Sequence, residues 1–199
     1  FFTETFLPKV DGIVTRLTKT IEFLIKNGDE VIVFCPEGCP ETFMGATVIG
    51  VAAMPLPLYP ELKLGLPGPA VSEKLETFKP DLIHVVNPAV LGLGGIWLAK
   101  TNNIPLIASY HTHLPKYLEH YGMGMLEPLL WELLKAAHNQ ALLNLCTSTA
   151  MVSELESKGI RRTALWQRGV DTNSFKPEYK NQTMRAKLLG NYPDTGSLL

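Results

Sequence analysis

The chain has 199 residues and a formal net charge of -1, and 46% of its residues are hydrophobic and 19% charged. This length suffices for one α/β domain with its own core, and the balanced charge argues against the clustered basic surface of a nucleic-acid-binding protein. No apolar run approaches the roughly 18 residues of a membrane-spanning helix, so we do not expect the chain to cross a bilayer.

The first elements alternate between strand and helix. Phe1 to Thr5 resembles a strand that lacks its beginning, and apolar residues at helical spacing predict a helix from Gly12 to Asn27 with Asp11 as its cap. The segment from Glu30 to Cys35 contains a continuous apolar run, Val31 to Phe34, and is closed by Pro36, which predicts a strand that is buried on both faces.

The alternation continues along the rest of the chain. Short apolar runs predict further strands at Thr47 to Val51, Leu82 to Val86, Leu106 to Ser109 and Leu143 to Thr147. Apolar stripes at helical spacing predict helices at Ala70 to Phe78, Val90 to Lys100, Leu126 to Leu142 and Thr149 to Lys158. This order predicts a Rossmann-like α/β fold, in which a mainly parallel sheet carries helices on both faces.

One proline-rich segment interrupts this pattern. Pro55 to Pro69 contains five prolines and only two charged residues, which excludes a regular helix and predicts an ordered or mobile loop. A loop of that length in a compact domain is often functional. Near the end of the chain, Gly196 to Leu199 resembles a turn followed by the first residues of another strand.

The cysteines indicate no disulfide framework. Cys35, Cys39 and Cys146 are an odd number of thiols, which is typical of a protein in a reducing compartment. No histidine or second cysteine pair follows Cys35 and Cys39 at the spacing of metal ligands. We therefore expect buried or half-buried thiols and no metal site.

Candidate site residues follow the predicted strands directly, because the ligand crevice of an open parallel sheet lies outside the carboxyl ends of its strands. Glu4 and Gly12 follow the first strand, and Asn87 follows the strand that ends at Val86. Gly12 opens a helix, where a glycine lets the backbone approach a phosphate at the positive helix end. The chain lacks a G-x-G-x-x-G pattern, which counts against a dinucleotide site.

Histidines at the end of the next strand are the strongest candidates for chemistry. His111 and His113, with Thr112 between them, follow the strand at Leu106 to Ser109, where ligand and solvent reach the sheet edge. We assign His111 to the site and leave open whether His113 belongs there. His84 lies inside an apolar run and is expected to be a core residue. Neither a Ser-His-Asp triad nor a set of zinc ligands follows from the spacing.

Four segments resemble a known family. They are FTETFLPKVDG at 2–12, PDLIHVVNPAVL at 80–91, SYHTHLP at 109–115 and WQRGVDTNSF at 166–175. Together they are similar to the amino-terminal domain of the retaining glycosyltransferases of family 4, in the branch of sulfoquinovosyl diacylglycerol synthases from cyanobacteria and chloroplasts. The G-V-D-x-x-x-F element is common to much of the family, whereas TETFLPKVDG and SYHTHLP resemble the sulfolipid branch more closely.

This resemblance implies the amino-terminal half of a two-domain GT-B enzyme, whose first domain holds the acceptor and whose second domain grips the nucleotide sugar. The reaction would transfer sulfoquinovose from UDP-sulfoquinovose to diacylglycerol, with retention and without a metal or other cofactor. The enzyme would lie peripherally on the cytoplasmic side of a cyanobacterial or plastid membrane. We expect membrane contact from Pro55 to Pro69 and from Leu114 to Trp131. The apolar candidates in the second stretch are Leu118, Tyr121, Met123, Met125 and Leu126.

The resemblance also implies roles for individual residues. Gly12 falls in the glycine loop that faces the donor phosphate, and His111 matches the histidine beside the transferred sugar, which makes it the candidate catalytic residue. Thr112 follows His111 into the cleft. The lesser candidates for substrate binding are Glu4, Asn87, His113 and Lys116.

The family's second domain, with the basic pair and the E-x7-E element that grip the donor, is not found in this sequence. We therefore expect residues 1–199 to form an acceptor-side domain that lacks the start of its first strand and is inactive alone. Two alternatives stay open: another family 4 glucosyl- or mannosyltransferase, and a non-catalytic Rossmann-type binding module. An E-x7-E element beyond Leu199 favours an enzyme, and nucleotide binding by this chain alone favours the binding module.

Overall fold

The computed structural model describes residues 1–56, 59–120, 122–167 and 169–190. The chain divides into two compact units, Phe1–Gln167 and Arg168–Leu199. The second unit contains a short 3-10 helix and one α-helix, and the sheet belongs to the first. That residues 1–199 act as a single acceptor-side domain stays a prediction.

The strands are β1 (Phe2–Thr3), β2 (Ile32–Pro36), β3 (Thr42–Phe43), β4 (Ala46–Val51), β5 (Ala53–Leu56), β6 (Tyr59–Gly65), β7 (Ile83–Val86), β8 (Leu106–Tyr110), β9 (Leu143–Cys146) and β10 (Thr163–Leu165). The α-helices are α1 (Gly12–Lys26), α2 (Pro69–Phe78), α3 (Val90–Thr101), α4 (Leu114–His120), α5 (Glu127–His138), α6 (Thr149–Ser157) and α7 (Gln182–Leu189). Short 3-10 helices lie at Gly124–Leu126 and Pro177–Tyr179.

Eight strands form one sheet in the order β10-β9-β8-β7-β1-β2-β4-β3. Within the described residues, the pairing of β3 with β4 is the antiparallel one in this sheet, and the other pairings are parallel. β1 lies at the centre, where Phe2 pairs with Phe34 of β2 and with Val85 of β7. The sheet is the Rossmann-like one that the sequence predicts.

Helices cover both faces of the sheet because neighbouring strand residues point to opposite sides. Val33 in β2 packs in a core cluster with Leu17 and Ile21 of α1. The next residue, Phe34, packs in a different cluster. That cluster contains buried residues of α2 and α3 and Ala137 of α5. Both clusters are buried and apolar, so the prediction of helices on both faces is confirmed.

Helix α3 lies unusually close to the central strands. A Cβ atom on Gly95 would come within 2.7 Å of the Phe2 ring, and one on Gly92 within 2.8 Å of the Val85 side chain. Glycine at these two positions therefore lets α3 approach β1 and β7 directly. Because α3 begins at Val90, soon after β7 ends at Val86, the beginning of this helix lies at the carboxyl edge of the sheet.

The prediction of an irregular loop from Pro55 to Pro69 is wrong. β5 and β6 form an antiparallel ribbon in which Pro55 pairs with Lys63, and α2 begins at Pro69. Each strand of a two-stranded ribbon has an outer edge where an N–H donor is not needed, so prolines are tolerated there. Residues 57 and 58 of the predicted loop lie outside the described residues.

The sequence predictions miss several short elements and shift some boundaries. Helix α4, with Pro115 at its second position, and the short strands β3 and β10 are not predicted. The helix predicted from Leu126 to Leu142 ends at His138 instead. Cys35 and Cys146 are buried and Cys39 is half-buried, and all three are free thiols, as predicted. The tail from Gly196 to Leu199 lies outside the described residues.

Candidate functional site

The carboxyl ends of β1, β7 and β8 meet at one edge, because these strands are neighbours and run parallel. Gly12 follows β1 through the loop that leads to α1, Asn87 follows β7, and His111 follows β8. The three residues therefore lie at the same edge of the sheet. Their roles in substrate binding and catalysis stay predictions.

Gly12 begins α1 in an open position. The Asp11 carboxylate caps the helix, and its Oδ1 accepts hydrogen bonds from the N–H groups of Ile13 at 2.9 Å and Val14 at 2.8 Å. Gly12 is exposed, and a Cβ atom there would meet no other atom within 4 Å. Packing within the chain does not require a glycine here, so the space above this turn is accessible to a ligand.

Asn87 shapes the loop that carries His111. Its φ of 56° lies in the left-handed region, and its side-chain Oδ1 accepts hydrogen bonds from the N–H groups of His111 at 3.0 Å and Thr112 at 3.2 Å. Its own N–H donates to the Ser109 carbonyl at 2.8 Å. Asn87 therefore fixes the backbone of His111 and Thr112.

The His111 ring lies against an aromatic side chain that follows β10. The centroids of His111 and Trp166 are 5.7 Å apart, with an angle of 69° between the ring planes. On α1, the Arg16 guanidinium lies 4.8 Å from the Trp166 ring centroid, and its Nη1 donates to the Trp166 carbonyl at 2.9 Å. Trp166 thus connects the first half of α1 to His111, a role that the sequence analysis did not assign.

His84 is a core residue, as predicted. It is buried beside the Trp166 ring, and its Nε2 lies 2.9 Å from the Ser109 hydroxyl oxygen. Burial lowers the pKa of His84 to about 3, so the imidazole is neutral at physiological pH. The same hydroxyl lies 2.9 Å from Nε2 of His111, which makes Ser109 a contact of the candidate site.

His113 and Lys116 lie on the α4 side of the edge. His113 Nε2 pairs with the Glu154 carboxylate at 2.7 Å, and its Nδ1 accepts a hydrogen bond from the Lys116 backbone N–H at 3.2 Å. The His113 ring also contacts Trp131 edge-on. These contacts fix His113 against α5 and α6, while Lys116 is exposed. Substrate binding by either residue stays a prediction.

Glu4 is buried rather than open at the cleft mouth. Its Oε1 accepts a hydrogen bond from the Leu91 N–H at 2.6 Å, and its Oε2 accepts one from the Gly65 N–H at 2.8 Å. Glu4 therefore caps α3, whose own cap residue provides no side-chain bond, and holds the end of β6. Burial raises the pKa of this carboxyl, partly offset by the backbone N–H donors. Substrate binding by Glu4 stays a prediction beside this structural role.

The described residues contain neither a cluster of metal ligands nor a membrane-spanning helix. No group of three or more His, Cys, Asp or Glu side chains in this part of the chain is arranged to hold a metal ion. No described helix is both long enough and apolar enough to span a bilayer.

The fold is that of the amino-terminal half of a GT-B protein. It is similar to a sucrose-phosphate synthase from Thermosynechococcus elongatus, with a TM-score of 0.57 over 94% of this chain and 48% of that chain. At 18% sequence identity this likeness shows the fold alone. The chain belongs to Glycosyltransferase Family 4, whose sequence pattern matches residues 10–174. The predicted fold class and family are thereby confirmed.

Curated relatives are similar over most of this chain. A sulfoquinovosyl transferase from Arabidopsis thaliana is 37% identical over 93% of this chain and 37% of its own length. A GDP-mannose-dependent alpha-mannosyltransferase from Mycobacterium tuberculosis is 33% identical over 92% of this chain and 50% of its own length. An alpha-monoglucosyldiacylglycerol synthase from Streptococcus pneumoniae is 30% identical over 63% of this chain and 29% of its own length. The chain thus spans half or less of these relatives.

The buried histidines predict how stability depends on pH. Burial lowers the pKa values of His84 and His138, so below about pH 6.5 these two side chains bind more protons in the unfolded chain than in the folded chain. We expect the free energy of unfolding to fall as the pH drops from about 6.5 toward 3. In His84→Gln this loss should be smaller by about 1 kcal/mol per pH unit. Urea unfolding between pH 7.5 and 4.5 measures the difference.

The prediction concerns the difference between the wild type and His84→Gln, because Glu4 changes the free energy of unfolding with pH in the opposite direction to the histidines. Its raised pKa means that the folded chain keeps a proton as the pH rises above about 4.5, so its contribution to stability falls with rising pH. That contribution is present in both proteins and cancels in the difference. An unchanged pH dependence in His84→Gln would contradict the prediction.

Proposed function

We propose that the chain is the acceptor-side part of a retaining glycosyltransferase that transfers sulfoquinovose from UDP-sulfoquinovose to diacylglycerol. The observation that carries this proposal is the 37% identity to a sulfoquinovosyl transferase over 93% of the chain. A relative named for a diacylglycerol glycolipid, at 30% identity, supports a lipid acceptor. The segments TETFLPKVDG and SYHTHLP contain the candidate site residues Glu4, Gly12, His111, Thr112 and His113.

The donor phosphate is proposed to approach the first turn of α1. The Asp11 carboxylate already accepts hydrogen bonds from the N–H groups of Ile13 and Val14. A phosphate at this turn would therefore contact the backbone at Gly12. No Cβ atom blocks that approach, and the amino end of a helix favours a negative charge. The carboxylate of Asp11 opposes this attraction, so we expect the second domain to supply most of the binding energy for the donor.

His111 is proposed to lie beside the transferred sugar. Asn87 holds its backbone, and Ser109 and Trp166 contact its ring, so the imidazole is oriented before a substrate arrives. An oriented group of this kind can hydrogen-bond the sugar or stabilise charge as the glycosidic bond breaks. Thr112 shares the hydrogen bond to Asn87 and is the neighbouring candidate for a substrate contact.

Mannosyl transfer is the second candidate function. The GDP-mannose-dependent relative is 33% identical over 92% of this chain, only slightly less similar than the sulfoquinovosyl transferase. The resemblance assigns donor recognition chiefly to a second domain, so these residues alone favour neither nucleotide sugar strongly. The choice of sulfoquinovose rests on the higher identity and on the two sulfolipid-like segments.

A donor panel with the full-length protein tests the choice. The protein is incubated with diacylglycerol vesicles and with UDP-sulfoquinovose, GDP-mannose or UDP-glucose at equal concentrations. We expect kcat/KM for UDP-sulfoquinovose to exceed that for the other donors by at least about 100-fold, which corresponds to about 2.7 kcal/mol. Preference for GDP-mannose would support the second candidate, and nucleotide binding without transfer from any donor would support a non-catalytic module.

A lipid acceptor requires contact with a membrane, and an apolar surface on α5 and on the 3-10 helix Gly124–Leu126 before it is the best-defined candidate. Met125 is 95% exposed, Leu129 59% and Leu133 60%, and Leu126 is exposed beside them. Leu129 and Leu133 share one face of the helix. Leu118 and Met123 are half-buried, and Tyr121 lies outside the described residues. We propose peripheral binding through this surface, on the cytoplasmic side of a cyanobacterial or plastid membrane.

Polar substitutions on α5 should weaken this binding. In the full-length protein, Leu129→Ser with Leu133→Ser should lower the fraction bound to anionic vesicles at least about tenfold, because two half-exposed leucines lose their apolar contact with lipid. Co-sedimentation measures the bound fraction. The control is Phe23→Ser with Leu142→Ser. Both side chains are 64% exposed and lie outside the proposed surface. Equal losses in the two double variants would contradict membrane binding through α5.

A further inference from the structure

Three polar side chains on one face of the sheet form a chain of hydrogen bonds. Nε2 of His84 in β7 and Nε2 of His111 after β8 each lie 2.9 Å from the hydroxyl oxygen of Ser109. Ser109 is fully buried and His84 nearly so. The two contacts therefore form away from bulk water, where an unfavourable pairing of polar atoms is costly.

A single hydroxyl between two imidazole nitrogens restricts the positions of the protons. The Ser109 hydroxyl has one hydrogen to donate, and its oxygen can accept from the other side. If the hydroxyl donates to Nε2 of one ring, that nitrogen carries no hydrogen. Nε2 of the other ring must then carry a hydrogen and donate it to the hydroxyl oxygen. With both rings neutral, one histidine is then protonated on Nε2 and the other on Nδ1.

We propose that Ser109 and His84 are positioning residues for His111, because the shared hydroxyl orients the His111 ring and ties its tautomer to that of His84. The pairing acts across neighbouring strands, and it gives the candidate catalytic imidazole a defined pattern of donor and acceptor. This effect on catalysis rests on the proposed function, whereas the coupling of tautomers does not.

Two further observations support this role. Burial lowers the pKa of His84 to about 3, so His84 is a neutral partner across the physiological range. Its ring contacts the rings of Phe1 and Trp166, with centroids 5.1 Å and 5.7 Å away. His84 is therefore a fixed end of the chain of hydrogen bonds. At the other end, Asn87 holds the backbone of His111 through the 3.0 Å bond.

Nitrogen-15 NMR of the histidine rings in this chain tests the coupling directly. At about pH 8.5, well above the ordinary pKa of an imidazole, we expect His84 and His111 to populate opposite tautomers. In Ser109→Ala the tautomer ratio of His111 should change by about five- to tenfold, as expected for the loss of one hydrogen bond. Ser109→Thr keeps the hydroxyl and should keep the opposite tautomers. His84→Phe removes the inner nitrogen and should change His111 as Ser109→Ala does.

Thr3→Val provides the matched control. Thr3 is also fully buried on this sheet, and its hydroxyl donates to the Thr5 carbonyl at 2.8 Å. Losing this hydroxyl should leave both tautomers unchanged. The proposal is overturned if wild-type His84 and His111 have the same tautomer, or if the tautomer ratio of His111 is the same in Ser109→Ala and His84→Phe as in the wild type.

Kinetics of the full-length enzyme test the catalytic consequence. Ser109→Ala should lower kcat about tenfold with little change in KM, and Ser109→Thr should restore most of it. In a His111→Ala background, Ser109→Ala should cause no further loss, because a positioning residue acts through the group that it positions. An equal loss in both backgrounds would overturn the positioning role. If the full-length protein transfers no sugar, the proposed function fails, and the NMR result still decides the coupling.

Discussion

Replacing His111 with alanine in the full-length protein should lower the rate of sugar transfer about 100- to 1000-fold, with little loss of stability. The expected loss corresponds to about 2.7–4 kcal/mol, the typical effect of removing one oriented group that stabilises charge in the transition state. His111 is half-buried at the sheet edge, so its removal leaves no large cavity in the core. The measurement is kcat with saturating donor, beside the midpoint of urea unfolding.

A buried histidine at the end of α5 provides the control. His138 is fully buried, and its Nδ1 lies 2.8 Å from the Asn144 side-chain oxygen. His138→Gln should therefore lower the free energy of unfolding by about 1–3 kcal/mol while each folded molecule keeps its activity. If His111→Ala behaved in the same way, with normal turnover and reduced stability, His111 would be a structural residue.

The sequence predicts the order of the main elements because local signals act together there. Asp11 caps α1 in the structure as its position before an apolar stripe predicts, and the run from Ile32 to Cys35 is buried on both faces. The hairpin formed by β5 and β6 is different, because its prolines suggest an irregular loop. Whether a proline can lie in a strand depends on which edge faces a partner, and pairing between distant residues decides that.

In the site, too, local sequence patterns predict some residues, whereas others depend on contacts between distant parts of the chain. Gly12, Asn87 and His111 lie at one edge because each follows a parallel strand, and the sequence patterns reveal those strands. The contact of Ser109 with His84 depends on the register of β7 and β8, in which Val86 pairs with Ser109. Trp166 reaches His111 from the end of β10, an element that the sequence patterns do not reveal. Residues that orient His111 were therefore harder to predict than His111 itself.

Residues 1–199 alone should fold but show no measurable sugar transfer and at most weak binding of UDP-sulfoquinovose. Folding is expected because helices on both faces already bury a core around β1, β2 and β7. Transfer is not expected, because orienting donor and acceptor together contributes about 7–11 kcal/mol in favourable systems and needs a cleft with two walls. Circular dichroism, a transfer assay with radiolabelled donor and vesicles, and calorimetric titration of the nucleotide sugar measure the three properties.

The full-length protein, assayed in parallel with the same vesicles and donor, provides the positive control for transfer. Tight donor binding by residues 1–199 without transfer would assign nucleotide recognition to this half of the fold and would favour the binding-module alternative. Robust turnover would contradict the two-domain arrangement that the resemblance implies. Since the curated relatives are at least twice as long as the stretch they share with this chain, we expect neither result.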